Sequence, residues 1–513
     1  MKPAASYGIS ALCVVSIIAF LFFNLEWFPG LHGDEAWVGL YADRVNSMGF
    51  YTPHLMNIYT GGMFGWVAFS AFKVFGTSVF TLRLLSAVCN SIAAVGFVIW
   101  AGRRFGHRGG LAMAGLLASS GMYLIYGRLA WEVCAVEHLL ILALLWSCRP
   151  FVEERRFPLL QVFVFFSTIQ IGILNHFIFL SVPLSLAVYA AVGGTLLKDR
   201  CAARLRPLFF LSMLMGVCCF CKQYITPESF VAHRPLYFAA ALMMPVGFTA
   251  LFFWANPRFP RLDVLDGRWP RRAFLFVTGV GMLAFCIWHL TPMIQIVSGT
   301  AIMRRVFSLE PLGVIRWALY VWGAALFGMY FVRLGEILRS PSINSGGAYA
   351  RFVLLWAAAY MSVFILMRHT SSIRYYLIMH ALVLGAFAAA AARSRFLKTG
   401  WKVALPAIVV IGLHGFYWVE AATTPVRRPL VFRVGFRLER SIDFLDKREL
   451  FERLDRDRVC HWDDSKQDFL YIPAIFHRHG TPVECDRTRM AQLDYCRECE
   501  EPPFYSYTLV ERN

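Results

Sequence analysis

Apolar runs of about 17 to 22 residues, separated by polar connections, recur along the chain as far as Thr423. A helix of that length crosses the roughly 30 Å hydrocarbon core of a bilayer. Taken in order, the runs predict about thirteen spans, near 8–28, 79–101, 110–127, 132–148, 157–173, 177–196, 207–221, 235–255, 273–290, 312–332, 352–367, 376–392 and 403–421. The first run, Ile9 to Phe23, has no small-residue cleavage site before the Trp27-Phe28 interface pair and is expected to be retained as a span. A polar stretch over 29–78 then interrupts the series. Within it, residues 35–48 repeat apolar positions at helical spacing (Val38, Tyr41, Ala42, Val45), and residues 63–75 are apolar but short. Both predict helices lying on the membrane surface.

Beyond Thr423 the pattern changes. Residues 424–513 carry 16 Lys and Arg against 17 Asp and Glu, the balance of a small soluble unit. Their patterning predicts an amphipathic helix over 439–455, a strand at Val459-Cys460-His461-Trp462, and a helix from Gln467 to His477. Further strands are expected at 482–485 and 505–511. The expected fold class is therefore an all-α polytopic membrane protein over residues 1–422, with a small α/β C-terminal domain over 423–513.

Composition supports this and removes one alternative. Of 513 residues 58% are hydrophobic and 16% charged, well under the charged content of an average soluble protein. The net charge of +18 would suit nucleic acid, but the basic residues are sorted by connection. Alternate loops, beginning with 101–109, hold 22 Lys and Arg, and the opposite set holds nine. By the positive-inside rule the basic set is cytoplasmic, which places the N-terminus inside and both the 29–78 loop and the C-terminus outside. Were 63–75 a span, the alternation downstream would invert and fail. The charge thus orients the chain in a membrane, and no nucleic-acid partner is expected.

Nine of the 13 cysteines fall in or beside spans, where a thiol acts as a small apolar group. Cys460, Cys485, Cys496 and Cys499 lie in the outer tail, where an even set in an oxidising compartment suggests disulfides, although Cys496-x-x-Cys499 also has the spacing of half a metal site.

Candidate chemistry gathers at the outer ends. His32-Gly33-Asp34-Glu35 places two carboxylates where the first span ends, and ionisable groups at membrane depth are costly unless hydrated or paired. Arg128 and Glu132, four apart, have the spacing of a helical ion pair. His176 falls at an outer hairpin tip, and Lys222, Arg304, Arg305 and Arg374 are bases on the face that the orientation rule disfavours, as an anionic ligand would require. A carboxylate beside an acceptor hydroxyl can act as general base, and cations can hold a departing phosphate. That equipment suits glycosyl transfer from a lipid-phosphate sugar. A transporter or flippase for a lipid-linked or anionic solute is the alternative, but no internal repeat is evident and the deep spans are largely apolar. A non-enzymatic scaffold is a further alternative.

The ordered motifs also resemble a family. His32-Gly33-Asp34-Glu35-Ala36-Trp37, Asn57-x-Tyr59-Thr60-Gly61, Phe75-Gly76-Thr77-Ser78 with Arg83-Leu84-Leu85-Ser86, Gly127-Arg128-x-x-x-Glu132 and Arg374-Tyr375-Tyr376 are similar to segments of the polyprenyl-phosphate-sugar glycosyltransferases of the GT-C superfamily. Within it the resemblance is to the bacterial branch of protein O-mannosyltransferases, lipid A aminoarabinose transferases and rhizobial galacturonosyltransferases, and it covers about residues 8–420. It implies a multi-pass enzyme of the bacterial inner membrane that moves a sugar from a polyprenyl-phosphate donor to a lipid, glycan or protein acceptor at the periplasmic face by inverting displacement. Asp34 would be the general base, Glu35 its catalytic neighbour, and Arg374 with Tyr375 a phosphate clamp. The remaining substrate-binding candidates are His32, Asn57, Tyr59, Arg83, Arg128, Glu132, His176, Lys222, Arg304 and Arg305. Metal dependence varies across the superfamily, so no cofactor is fixed; for a divalent ion, Glu35 and His176 are the candidate ligands. Many relatives carry a His-Pro-Pro type segment where this chain has Met56-Asn57-Ile58-Tyr59-Thr60-Gly61.

Overall fold

The architecture comes from a computed structural model that describes residues 3–48, 61–154, 156–196, 200–220, 232–255, 268–306, 313–339, 347–364, 373–394, 408–413, 415, 431–434, 437–440, 447–462, 473–477, 486–495 and 505–511. Among these, five helices are long and apolar enough to cross a membrane, and a sixth crossing is formed if the pair 276–288 and 290–297, bent by 59°, counts as one.

The N-terminal half holds α1 (Pro3–Phe22), α2 (Gly33–Met48), α3 (Met63–Phe75) and α4 (Val79–Ala118). Both short helices of the 29–78 stretch are therefore formed. Their junction with α4 explains the Phe75-Gly76-Thr77-Ser78 motif. Gly76 has φ 82°, a left-handed conformation open to glycine, and ends α3 by donating its N–H to Phe72 O at 2.9 Å. Ser78 Oγ then accepts Thr81 N–H at 3.0 Å and caps α4. The 40 residues of α4 fold back at Gly106, whose φ of 77° breaks the helix. A Cβ added at Gly110 would lie 3.2 Å from the Gly102 Cα, so the two arms pack backbone to backbone where glycine leaves room. The two arms flank the basic 101–109 turn, where two runs were expected at 79–101 and 110–127. At that end Arg104 pairs with Glu153 at 2.7 Å.

The chain then breaks repeatedly. After α5 (Gly121–Tyr126) comes α6 (Glu132–Ala135), then α7 (Glu137–Arg149). The expected single span over 132–148 is thus divided at Val136. Asn90 of α4 fills the break, its amide donating to the carbonyls of Gly127 and Cys134 at 2.9 and 3.1 Å while its oxygen meets His138 Nδ1 at 2.8 Å. Buried backbone groups in a membrane need such partners.

Next come α8 (Leu159–Asn175), α9 (Ser181–Leu196), α10 (Arg200–Phe220), α11 (Arg234–Ala255), α12 (Arg268–Trp288), α13 (Leu290–Val297), α14 (Thr300–Val306), α15 (Gly313–Arg339), α16 (Ala348–Phe364) and α17 (Leu377–Arg393). The last two are buried almost throughout. The alanines of α17 allow close approach, and Gly385 lies against the Trp100 ring of α4. Outer helices instead expose Leu12, Ile92, Leu214, Leu242, Val277 and Val314, a surface that suits lipid and not water.

After residue 430, β1 (Val431–Val434) and β2 (Arg437–Arg440) form an antiparallel pair. The helix α18 (Arg448–Arg456) precedes a sheet of β3 (Val459–Trp462), β4 (Asp486–Tyr495) and β5 (Tyr505–Glu511), with β3 parallel and β5 antiparallel to β4. The expected helix over 439–455 is shortened, because its first residues pair as β2: Arg440 lies opposite Val431 across the ladder. The predicted strand at 482–485 and residues Cys485, Cys496 and Cys499 lie outside the described residues. Cys460 sits in β3.

Candidate active site

Two adjacent carboxylates at the start of α2 meet opposite environments. Both lie in the first turn, where the helix dipole favours negative charge. Successive helical residues point about 100° apart. Glu35 turns inward and is fully buried, whereas the Asp34 side chain remains half exposed.

Glu35 is saturated. Its Oε1 accepts Arg83 Nε at 2.9 Å and Ala130 N–H at 2.8 Å, while Oε2 accepts Arg83 Nη2 at 2.7 Å and His32 N–H at 3.2 Å. Arg83, also fully buried, donates further to the carbonyls of Leu25, Pro29 and Gly30 at 3.1, 2.8 and 3.3 Å. This forked pair staples the loop that carries His32 to the N-terminal end of α4. Removing one member of a buried pair leaves a charge without compensation. Glu35→Ala is expected to destabilise the fold by about 3–5 kcal/mol, read as a lowered unfolding temperature in detergent, with any activity falling alongside the folded fraction.

Asp34 is placed by other contacts. Its N–H donates to His32 Nδ1 at 2.9 Å, and the His32 ring packs edge-on to Trp131 with centroids 4.5 Å apart. Its carboxylate accepts Arg374 Nη1. Arg374 lies in the turn Ile373–Tyr376 that leads into α17. Its guanidinium stacks 4.9 Å from the Trp131 ring and 5.1 Å from the Tyr375 ring, and Nη2 donates to the Tyr375 hydroxyl at 3.3 Å. Aromatic faces on both sides favour the cation and hold its fork in place. Partial burial pushes the Asp34 carboxyl up, but the charges of Arg374 and His32 outweigh it and hold the group below its ordinary range.

Behind this pair, the His176 ring lies 5.7 Å from that of Tyr375, its Nδ1 accepts Ile178 N–H at 3.0 Å, and its Nε2 is 3.8 Å from Glu132 Oε1. His176 is buried, not at an exposed tip. Gly61 sets this corner: its N–H donates to Asn175 O at 2.8 Å, and a Cβ there would fall 1.6 Å from Leu174 O.

The expected Arg128–Glu132 helical pair does not form, because the segment between them is a loop and Arg128 turns the other way. Its guanidinium donates to the carbonyls of Phe20, at 3.2 Å, and Phe23 at the C-terminal end of α1, and lies 5.2 Å from the Phe28 ring. A cation at a helix C-terminus satisfies carbonyls that have no intrahelical donor. Thus Asp34, His32, Glu132, His176, Arg374 and Tyr375 converge, while Arg83 and Arg128 support the loop from behind. Arg304 and Arg305 sit on α14; Asn57, Tyr59 and Lys222 lie outside the described residues. Trp131 escaped the sequence reading, although an aromatic residue directly before Glu132 was its available signal.

Among the described residues no three His, Cys, Asp or Glu side chains group as a metal site requires. Both oxygens of Glu35 are taken by hydrogen bonds, so Glu35 does not fit as a metal ligand.

At the sequence level neither a family model nor a curated protein matches the chain. Among solved structures it is similar to the oligosaccharyltransferase of Archaeoglobus fulgidus, crystallised with zinc and sulfate, at TM-score 0.50 and 12% identity over 93% of this chain. The chain shares the fold of that enzyme's corresponding part. It spans 57% of that archaeal enzyme's length. ArnT from Cupriavidus metallidurans matches at TM-score 0.40 and 14% identity, covering 95% of this chain and 93% of that one.

Proposed function

We propose that this protein is a membrane glycosyltransferase that moves a sugar from a polyprenyl-phosphate donor to a lipid, glycan or protein acceptor at the outer face of a bacterial inner membrane. The observation that carries the reading is the meeting of Asp34 and Arg374, from opposite ends of the membrane-embedded chain, between Trp131 and Tyr375. The fold, shared with an oligosaccharyltransferase, supports the class of reaction. About thirteen crossings, a cytoplasmic N-terminus, a periplasmic C-terminus and division into residues 1–422 and an α/β unit over 423–513 belong to the same proposal.

The lipid tail of such a donor lies among the exposed apolar helices and its phosphate at the interface, where Arg374 offers a planar fork for two oxygens. Engaging the phosphate draws the guanidinium from Asp34 and frees the carboxylate. Asp34 then takes the proton of the acceptor hydroxyl as that oxygen attacks the anomeric carbon. The bond from this carbon to the phosphate oxygen breaks, its electron pair leaves with the phosphate, and Arg374 stabilises the added charge. A single displacement inverts the anomeric centre. Glu35 serves by holding the loop, and Glu132 and His176 line the space beneath.

Mass spectrometry of cell-envelope glycolipids and glycoproteins from cells with and without the gene tests the reading. Loss of one defined sugar from an acceptor, with accumulation of its polyprenyl-phosphate donor, is expected; identical glycan profiles in both would overturn it.

A further inference from the structure

The C-terminal segment reaches the catalytic loop itself. Lys447, immediately before α18, is buried, and its Nζ donates to the carbonyl of Leu31 at 2.9 Å. Around this contact one apolar cluster joins Leu31, Ala36, Val38 and Tyr41 with Leu450, Phe451, Leu454, Ala474 and Phe476. The Phe476 ring lies so close to α2 that a Cβ added at Gly39 would fall 2.3 Å from it, and it also stacks on Phe72 of α3 at 6.2 Å. His477 lies flat on Phe451 at 4.3 Å and meets Asp455 at 3.0 Å, which stiffens the docked piece.

A buried ammonium is costly unless its protons are taken up, so its placement on one loop carbonyl has a mechanical result. Arg83 already holds the carbonyls of Leu25, Pro29 and Gly30 from the membrane helices. Lys447 holds the next one from the opposite side. The following residue, His32, is the one whose Nδ1 receives the Asp34 N–H. With the loop pinned from both sides, the direction of the Asp34 carboxylate is set before any substrate arrives.

We propose that Lys447 is a positioning residue for Asp34, and that Lys447, α18 and residues 473–477 form a brace that must be docked on α2 for the base to be aligned. The proposal rests on the reading of Asp34 as general base. It separates alignment, assigned to Lys447, from donor capture, assigned to Arg374 with Trp131 and Tyr375.

The test uses the full-length protein in detergent or nanodiscs. Lys447→Met removes the ammonium and keeps the stem; Lys447→Arg keeps a donor for the Leu31 carbonyl; Gly39→Val displaces Phe476 without touching Lys447. Amide hydrogen exchange of peptides covering 30–38 is compared with that of peptides from α4 and α17. Faster exchange confined to 30–38 is expected in Lys447→Met and Gly39→Val, with near-native exchange in Lys447→Arg. In transfer assays with a polyprenyl-phosphate sugar, kcat is expected to fall about 10- to 100-fold in Lys447→Met with an unchanged KM for the donor, and to recover in Lys447→Arg. Unaltered exchange over 30–38 in both disrupting variants would overturn the brace, as would equal loss of kcat in Lys447→Arg. If the wild-type protein transferred no sugar, the glycosyltransferase reading would fall, while the exchange comparison would still decide the brace. If Lys447→Met does not fold, Gly39→Val carries the same test.

Discussion

Asp34→Asn is expected to lower sugar transfer by about 10²- to 10⁴-fold in a protein that folds and binds donor. The Asp34 side chain is half exposed, and the Arg374 cation left behind keeps the faces of Trp131 and Tyr375, so the neutral isostere is expected to fold. The contact that holds the turn, from the Asp34 N–H to His32 Nδ1, is made by the backbone and survives the change. What disappears is the ability to accept the acceptor's proton. Arg374 keeps its aromatic flanks and loses its counter-charge, so donor affinity should hold or rise. Single-turnover transfer, with donor binding measured separately, reads the two effects apart. Transfer by Asp34→Asn at the wild-type rate would remove Asp34 as the base.

Arg374→Ala should reduce kcat/KM for the donor by about 10²- to 10³-fold, because the phosphate loses a fork already held in position between two rings. The pH profile should move as well. Asp34 works only when ionised, so activity falls as pH drops through its pKa. Arg374 holds that pKa below the ordinary carboxylate range against the effect of burial. Without Arg374 the acid limb should shift to higher pH, the reverse of what loss of a remote structural contact would give. Arg374→Lys, a point charge in place of a planar fork, should restore the limb more fully than the donor affinity. An acid limb that stayed in place would show that the two groups are not coupled during turnover.

The sequence singled out Asp34 and Arg374 because their types are unusual for where they stand, and the structure brings the two together. A carboxylate and an arginine at the outer ends of spans cost free energy and so point to a task. Long apolar runs likewise gave helix limits good to a few residues, as with 235–255 against Arg234–Ala255. Glu35 was set apart from Asp34 only by the family resemblance, because its inward turn onto Arg83 depends on where α2 packs. The Arg128–Glu132 pairing assumed a continuous helix, and the breaks at Gly127 and Val136 that cancel it depend on Asn90, nearly forty residues away, to take up the freed carbonyls. Lys447 was invisible for the same reason: it lies 416 positions from the carbonyl it holds.

The separation of Asp34 and Arg374 by 340 positions also bears on biosynthesis. The Glu35–Arg83 staple links residues 48 apart, so it can close while most of the chain is still on the ribosome. At that stage the catalytic loop is shaped and Asp34 has no cation beside it. Its counter-charge arrives only when the turn before α17 has been made, and the Lys447 contact follows later still. The nascent protein therefore holds the Asp34 loop in shape before the Arg374 contact exists, and on the proposed reading the site is completed by elements made hundreds of residues later.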